Sequence, residues 1–389
     1  MPAAPGDVKG ESDPYGCDGL IRGDAARRLP RVPCDDTRGQ LPLLRAARRQ
    51  PTSFTPVWLM RQAGRYLPEY RALRARFGFL ELCRNPEAAA EVTLQPVERL
   101  GVDAAILFAD ILLIVEPLGV GLEFAKGEGP LIHRPVRTPA DVHALPPVNV
   151  EDAVPFVFET VRTVARALAG RVPLIGFAGA PFTVASYLVE GGPSRDYLHT
   201  KRLMYEAPDA WHRLMAILAG ITARYLNGQI EAGADAVQLF DSWVGVLSRD
   251  DYRQFVLPHV RALIEALAPE APVIHFGTGT AALLPLMREA GGDVIGLDWR
   301  VDLDAGWAAV GHDVAVQGNL DPAVLLGPPA LIRERVKAIL DRAAGRPGHV
   351  FNLGHGVHQE TPVDHVRLMV DLVHELSDRR MAGDSPRSS

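Results

Sequence analysis

From residue 55 onward, short apolar runs alternate with longer stretches that repeat with helical periodicity. Such apolar runs, with little alternation of polar residues, are typical of parallel strands that are covered on both faces. The pattern therefore predicts eight strands of one parallel sheet. They fall at 57–60, 104–108, 173–177, 236–240, 272–275, 294–297, 314–317 and 350–353.

Helices are predicted between these strands. The clearest begins at Pro86, directly after Asn85, a residue that favours the N-cap position, and ends before Gly101. The others are predicted at 152–168, 210–231, 250–267, 280–289, 303–310, 322–342 and 362–376, of which 303–310 has the weakest pattern.

Repeated alternation of strand and helix predicts an α/β fold with a parallel sheet. Eight repeats favour a single-domain (β/α)8 TIM barrel with a deep active-site cleft at the C-terminal ends of the strands. A doubly wound sheet is the alternative architecture, but no G-x-G-x-x-G segment follows the first strand. Two glycine-containing insertions, 114–148 and 190–197, lie on strand-to-helix connections, where covering loops are expected.

The composition divides the chain into a central domain and two tails. Residues 1–38 are rich in Pro, Gly, Asp and Arg and are predicted to be a disordered extension. The barrel domain is predicted to span 39–378, and 379–389 to be a flexible C-terminal tail.

Charge and cysteine content exclude several classes of protein. The net charge is −6 over 389 residues, which disfavours nonspecific binding to nucleic acid. The three cysteines, Cys17, Cys34 and Cys83, form no metal-binding pattern and suit a reducing compartment. No apolar run approaches the roughly 20 residues of a membrane span. We therefore expect a soluble, cytoplasmic protein with no nucleic-acid or membrane partner.

Polar residues stand at or just beyond the ends of the predicted strands. In a barrel these positions converge on one face, where the active site lies. The residues concerned are Arg61, Arg65, Asp110, Asp241, Ser242, His275, Asp298, Gln317, Asn319 and His355.

Two arginines and one aspartate carry the strongest chemical indication. Arg61 and Arg65 flank Gln62-Ala63-Gly64, and arginine pairs bidentately with carboxylates. The alternative is a pair of solvated arginines at a helix start. Asp110 lies in an apolar run, where a lone carboxylate is costly unless it is paired or functional. It is either ion-paired with a neighbouring arginine or a fixed charge that faces N–H groups or a developing cation.

Three further residues are candidates for ligand contacts. The small and aromatic residues at 176–183 are expected to pack beside a flat ligand, and Tyr187, near a helix start, either binds that ligand or packs in the core. Ser242 is expected to donate a hydroxyl, because no G-x-S-x-G elbow accompanies it. His355 lies between two glycines, which indicates a position facing a cleft.

Five segments together resemble one known family. Residues 56–70, PVWLMRQAGRYLPEY, resemble the N-terminal signature of the uroporphyrinogen decarboxylases almost residue for residue. Residues 176–183 are similar to the second signature of that family. Residues 108–112, 238–242 and 352–356 follow in the order and spacing of the family.

This resemblance extends over about 41–375 and implies an activity. It implies a carboxy-lyase that decarboxylates the four acetate side chains of uroporphyrinogen III to give coproporphyrinogen III, in tetrapyrrole (heme) biosynthesis. It also implies a homodimer that uses no metal and no organic cofactor.

The resemblance also implies roles for individual residues. Asp110 and Arg61 would be catalytic: Asp110 accepts hydrogen bonds from the pyrrole N–H groups and stabilises positive charge, and Arg61 is a candidate proton donor. The substrate-binding residues would be Arg61, Gln62, Ala63, Gly64, Arg65, Phe79, Asp110, Tyr187, Ser242 and His355.

Two other functions on the same fold are alternatives. A zinc-dependent methyltransferase that uses corrinoid or folate carriers needs thiolate ligands late in the chain, and no cysteine follows Cys83. A non-catalytic tetrapyrrole-binding protein would not need the intact set of Asp110 and two arginines.

Overall fold

The computed structural model describes residues 38–125 and 129–378. The strands it contains are β1 (Ala105–Ile106), β2 (Leu122–Ala125), β3 (Gly129–Ile132), β4 (Leu174–Gly179), β5 (Ala236–Asp241), β6 (Val273–Gly277), β7 (Val294–Gly296), β8 (Ala315–Gln317) and β9 (His349–Val350). Seven parallel strands form one sheet in the order β1-β4-β5-β6-β7-β8-β9, and β2 pairs antiparallel with β3 in a separate hairpin.

Helices cover the sheet and supply its crossover connections. In the part of the chain that the structure describes, the α-helices are Pro42–Ala47, Pro68–Arg76, Phe79–Cys83, Pro86–Leu100, Pro139–His143, Val150–Ala153, Pro155–Leu168, Pro181–Glu190, Leu198–Glu206, Pro208–Ala232, Arg249–Phe255, Leu257–Glu265, Leu284–Ala290, Leu303–Val310, Pro329–Ala343 and Val363–Ser377. The 3-10 helices are Arg38–Gln40, Leu113–Leu118, Val244–Val246 and Pro322–Leu326.

The parallel α/β architecture predicted from the apolar runs is confirmed, with seven strands of the predicted eight in the sheet. The first predicted strand, 57–60, contributes one isolated parallel bridge, between Val57 and Phe351. On its other side Val57 accepts a hydrogen bond from the backbone N–H of Asp103, which leads into β1. The segment thus contacts both ends of the sheet.

Three predicted helices are each interrupted next to a proline, and the first of them, 152–168, divides at Val154 before Pro155. The predicted helix 250–267 is wrong as one element, because it breaks at Val256, two residues before Pro258. The predicted helix 322–342 likewise divides at Gly327-Pro328 into a 3-10 turn and the helix Pro329–Ala343. Proline removes a helical N–H and its ring collides with the preceding turn.

The sheet is strongly curled, as a chain of buried side chains inside it shows. The indole Nε1 of Trp58 donates to Gln317 Oε1 at 2.9 Å, and Gln317 Nε2 donates to Gln238 Oε1 at 3.0 Å. Gln238 and Gln317 belong to β5 and β8, which would stand about 14 Å apart in a flat sheet. Their direct contact requires the sheet to curve around these side chains.

The amino ends of the strands carry a repeated cap. In each cap, the carboxylate of an aspartate that precedes one strand accepts a hydrogen bond from the backbone N–H of a residue in the neighbouring segment. The backbone N–H of the aspartate donates to the carbonyl oxygen of that same residue. The side-chain bonds measure 2.8 Å in each case, and they join Asp103 to Val57, Asp235 to Leu174 and Asp293 to Val273.

Candidate active site

A tight turn after the Val57 segment holds the two arginines. Arg61 adopts a left-handed backbone with φ of 59°, and both Arg61 and Arg65 have exposed side chains. A Cβ on Gly64 would lie 2.9 Å from the carbonyl oxygen of Arg61, so only glycine fits the turn. The turn therefore presents two cations, with the backbone of Ala63 and Gly64 between them.

Gln62 lies inside the turn, between the two arginines in sequence. Its side chain is fully buried, with Oε1 accepting from the N–H of Leu59 at 3.0 Å and Nε2 donating to the carbonyl of Ala104 at 3.0 Å. The hydroxyl of Tyr66 donates to the carbonyl of Gln62 at 2.6 Å. The Gln62 side chain thus fastens the turn to the residue before β1, and a contact of Gln62 with substrate stays a prediction.

Asp110 lies just beyond β1. Protein atoms surround its carboxyl group closely, but the residue keeps some contact with solvent, as expected at the floor of a cleft. Its Oδ1 accepts a hydrogen bond from the N–H of Leu112 at 2.8 Å. Burial raises the pKa of Asp110 to about 6, against the opposing effects of the Leu112 N–H and the Arg61 charge. Within residues 38–125 and 129–378 the carboxylate forms no ion pair closer than 4 Å. The functional interpretation of Asp110 is therefore favoured over the salt bridge.

Tyr187 is brought next to these groups. It lies in the middle of the helix Pro181–Glu190, which corrects the expectation of a position near a helix start. Burial and then the Asp110 charge raise the pKa of Tyr187 to about 12, while Arg61 lowers it. Its ring stacks on Trp243, with centroids 3.8 Å apart. The phenol is thus a protonated hydrogen-bond donor in the electrostatic reach of Asp110 and Arg61.

Ser242 stands half-buried in the turn after β5, between two anchored residues. Asp241 is fully buried and its Oδ1 accepts from the hydroxyl of Thr183 at 2.7 Å, while the backbone N–H of Trp243 donates to the same hydroxyl at 3.2 Å. Burial raises the pKa of Asp241 to about 7. Asp241 therefore anchors the turn and is not a cleft residue.

His355 lies in a loop that both of its glycines make possible. A Cβ on Gly356 would lie 2.4 Å from Cδ of Arg61, and one on Gly354 would lie 2.3 Å from the backbone nitrogen of Trp299. Burial, and then the Arg61 charge, lower the pKa of His355 to about 4. The imidazole is therefore neutral at pH 7 and half-buried against the first arginine.

Phe79 forms an aromatic wall near Asp110. Its ring meets Phe108 edge-on at 6.0 Å and Phe124 of β2 at 4.8 Å. Phe79 is thus joined through Phe108 to the segment that carries Asp110 two residues later.

Other strand-end residues from the predicted set do not join this site. His275 pairs in register with Leu239, on the face opposite Gln238, and is fully buried. Gln317 belongs to the interior chain with Trp58. Asn319 Nδ2 donates to the backbone carbonyl of Asp298 at 2.8 Å. These residues are structural because strand alternation or internal bonding directs them away from the cleft.

Sequence reasoning missed Trp243, which contacts Tyr187, and Trp299, which contacts His355 and is followed by Arg300. The signal for both was their position, since each aromatic residue directly follows a strand-end polar residue, Ser242 or Asp298.

Comparisons with known proteins agree on one family. The family model described as "Uroporphyrinogen decarboxylase (URO-D)" matches residues 39–376. A uroporphyrinogen decarboxylase of Carboxydothermus hydrogenoformans is 57% identical over 335 residues, which cover 86% of this chain and 96% of the relative. One of Sorangium cellulosum is 57% identical over 345 residues, covering 88% of this chain and 99% of the relative.

Solved structures show the likeness of the fold. A methyltransferase from Methanosarcina mazei superposes with a TM-score of 0.72 at 22% identity, covering 86% of this chain and 97% of that one. A putative vitamin-B12-independent methionine synthase from Listeria monocytogenes has a TM-score of 0.53 at 12% identity, covering 84% and 98%. At these identities the likeness concerns the fold alone. The family model and the close relatives go further: the chain belongs to the uroporphyrinogen decarboxylase family.

Proposed function

We propose that this member of the family removes the carboxyl groups of all four acetate side chains of uroporphyrinogen III and forms coproporphyrinogen III. Family membership makes the chain a carboxy-lyase of tetrapyrrole biosynthesis. The observation that carries the detailed proposal is the desolvated Asp110 carboxylate within electrostatic reach of Arg61, on a turn that also exposes Arg65.

Loss of carbon dioxide needs an electron sink for the pair left behind. A pyrrole supplies one when its ring carbon next to nitrogen takes a proton, because the ring then carries positive charge shared with nitrogen. The C–C bond to the carboxylate breaks, its electrons neutralise the ring, and an exocyclic methylene forms. A proton added to the methylene and one lost from the ring carbon give the methyl product.

Asp110 is suited to lower the barrier of the cationic step. A fixed carboxylate accepts the pyrrole N–H groups and stabilises the charge that develops on the ring, and poor solvation strengthens that interaction. The structure supports this role with a carboxylate whose pKa of about 6 leaves it ionised at pH 7.

The remaining site residues would orient the substrate. Arg61 and Arg65, with the backbone of Ala63 and Gly64, would hold carboxylates, and Arg61 is the candidate proton donor. Tyr187, Ser242 and His355 would contact substrate side chains, and Phe79 would line the cleft.

We also propose that residues 39–378 close into a single (β/α)8 barrel, with the cleft at the carboxyl ends of the strands. The Val57 segment would be the eighth strand. Supporting this, Val57 exchanges with Asp103 the same pair of hydrogen bonds that Leu174 exchanges with Asp235.

The proposed enzyme works in the cytoplasm as a homodimer, with a small-molecule substrate and without a nucleic-acid partner. The resemblance to the family supports the dimer, and the net charge of −6 disfavours nucleic acid. It needs no metal or organic cofactor, because the substrate itself supplies the electron sink.

Product analysis tests the function. Purified protein is incubated with uroporphyrinogen III without oxygen, and the oxidised products are separated by chromatography. We expect stepwise loss of four carboxyl groups, unchanged by prior treatment with a chelator. Unaltered uroporphyrinogen that stays bound would indicate a tetrapyrrole-binding protein, and inactivation by the chelator would contradict cofactor-free chemistry.

A further inference from the structure

A second cationic group lies beside His355, on the loop that follows β7. The ring of Trp299 meets the imidazole of His355 edge-on, with centroids 6.4 Å apart and planes at 89°. A Cβ on Gly354 would lie 2.3 Å from the backbone nitrogen of Trp299, so the two loops are in direct contact. The next residue in the chain is Arg300.

The guanidinium of Arg300 is held in place from two directions. Its Nη1 lies 2.6 Å from Oδ2 of Asp298, and its carbon stands 3.9 Å from the centre of the Trp299 ring. Asp298 is almost fully buried and also accepts from the backbone N–H groups of Gly279 and of Arg300 itself. Stacking and a buried carboxylate together fix the plane of the cation.

Arg300 nevertheless keeps binding capacity. Its side chain is 51% exposed, and guanidinium carries five N–H donors, of which those on Nη1 face Asp298. The Asp298 carboxylate is shared with the backbone N–H groups of Gly279 and Arg300, and of the guanidinium it binds only Nη1. A fixed and half-exposed guanidinium is suited to bind a further carboxylate.

The His355 loop lies between the Arg61 turn and the Trp299 loop, since a Cβ on Gly356 would meet Arg61 and one on Gly354 would meet Trp299. Arg61 and Arg300 both lower the pKa of His355. The pKa values of Asp110 and Tyr187 respond to Arg61, whereas Arg300 is not among the groups that shift them. His355 therefore lies between a central cation and a peripheral one.

We propose that Arg300 holds a propionate of the tetrapyrrole substrate. This inference rests on the proposed function and adds a specificity-determining residue to it. The substrate carries propionates beside its acetates, and the reaction leaves the propionates intact. A peripheral cation that binds a propionate keeps its partner through all four decarboxylations, whereas one that binds an acetate loses it. Arg300 would then contribute the same binding energy to substrate and product.

If Arg300 contributes the same binding energy to substrate and to product, steady-state kinetics and product binding can detect it. Binding that is uniform along the reaction affects KM and leaves kcat nearly unchanged. We would compare the wild type with Arg300→Gln, which removes the charge, and Arg300→Lys, which keeps the charge and loses the planar fork. Arg288→Gln is the matched control, since Arg288 forms an exposed ion pair with Asp313, at 3.0 Å, outside the site.

The experiment measures kcat and KM for uroporphyrinogen III and, without oxygen, the Kd for coproporphyrinogen III. For Arg300→Gln we expect KM and Kd to rise by a similar factor, about tenfold for a partly screened charge-assisted bond, with kcat reduced much less. Arg300→Lys should lie between the wild type and Arg300→Gln, and Arg288→Gln should match the wild type.

Other outcomes contradict the proposal in distinct ways. A higher KM for substrate with an unchanged Kd for product would assign Arg300 to an acetate and overturn the propionate. Unchanged KM and Kd in an active enzyme would remove Arg300 from the site. A wild type that cannot decarboxylate uroporphyrinogen would refute the proposed function. The Kd for coproporphyrinogen III can still be compared between the variants in that case, because its measurement needs no turnover.

Discussion

In the proposed mechanism, Asp110 must meet two opposing requirements with a single side chain. Poor solvation would strengthen its stabilisation of a nearby pyrrole cation, and the same poor solvation raises its pKa to about 6. The carboxylate is therefore ionised at pH 7 with a small margin. The Leu112 N–H and the Arg61 charge maintain that margin, since both favour the ionised form.

This balance predicts the acid side of the activity profile. Because the ionised form of Asp110 is the active one, kcat/KM should rise with pH through about 6 and then level off. Arg61 lowers the pKa of Asp110, so Arg61→Ala should reduce activity and also move this rise to higher pH. A pH profile of kcat/KM checks both points. A rise centred near pH 4, or one that Arg61→Ala leaves in place, would contradict the assignment.

For single residues, the sequence indicates a candidate site residue where a charged side chain stands alone among apolar neighbours. Asp110 stands alone in an apolar run, and the structure places it near Arg61. The same reasoning is wrong for His275, because the alternation of β6 turns that side chain to the helical face. Nor does the sequence show that the side-chain amide of Gln62 is bonded to backbone at both its oxygen and its nitrogen.

Three loops beyond the strands, those that carry Arg61, Trp299 and His355, pack directly against one another. The loop around His355 passes so close to the Arg61 turn and the Trp299 loop that Gly354 and Gly356 have no room for a Cβ. The positions of Arg61 and Arg300 therefore depend on the His355 loop as well as on the strands that precede them.

Gly356→Ala tests this dependence. The new Cβ would lie 2.4 Å from Cδ of Arg61, and the flexible arginine would move more readily than the backbone. We expect kcat/KM to fall by about tenfold or more with a small change in Tm, because misplacing a binding group by a fraction of an ångström weakens orientation. Steady-state kinetics and thermal unfolding measure the two effects.

Gly39→Ala is the matched control, since nothing lies within 4 Å of a Cβ there and it is remote in sequence from these loops. If Gly356→Ala kept full activity, or lost activity only in proportion to unfolding, the packing of Arg61 against the His355 loop would have no role in binding.

Elements with strong end signals were predicted well. The helix Pro86–Leu100 has the predicted bounds, because Asn85 caps it and Gly101 ends it in a left-handed conformation. The hairpin of β2 and β3 was missed inside a region with many turn residues. The helix Pro181–Glu190 was missed because its glycine-rich approach and Pro181 indicate a turn, although proline also suits the first position of a helix.

Across the whole molecule, the start of the fold is bonded to its last helix. Asp103 Oδ2 accepts from the N–H of Val57 and also contacts Nε2 of His374, both at 2.8 Å. The pKa of His374 is raised: burial lowers it, but the Asp103 hydrogen bond and the charges of Asp103 and Asp371 raise it by more. One carboxylate thus joins the Val57 segment, β1 and the helix Val363–Ser377.

Asp103→Asn should destabilise the protein in a pH-dependent way. A histidine with a raised pKa in the folded state contributes stability below its unfolded pKa, near 6.5, and loses the contribution as pH rises through the folded value. We therefore expect a larger loss of unfolding free energy at pH 6 than at pH 8, by about 1 kcal/mol. Urea unfolding at the two pH values measures it.

The control is Glu123→Gln, which removes the partner of His133 in a pair exposed on both sides. It should change stability little at either pH. An Asp103→Asn variant with equal losses at pH 6 and pH 8 would show that the His374 contact does not contribute.

The general architecture could be predicted from the sequence, because apolar runs and helical periodicity repeat along the chain. The contacts by which the two edges of the sheet meet could not be predicted from the sequence. They are the single bridge at Val57, the Asp103 cap and the Trp58–Gln317 bond, which are long-range and have no local pattern.

The central claim is that the charge of Asp110 lowers the barrier to decarboxylation, and Asp110→Asn tests it most directly. Asparagine can still accept from the Leu112 N–H, so the Kd for uroporphyrinogen III should stay within a few fold, while kcat falls by roughly 100-fold or more for the loss of a preorganised charge. Because an ionised carboxylate with a raised pKa destabilises the folded state above its unfolded pKa, Tm at pH 7 should rise. An Asp110→Asn enzyme with near-normal kcat would contradict the account.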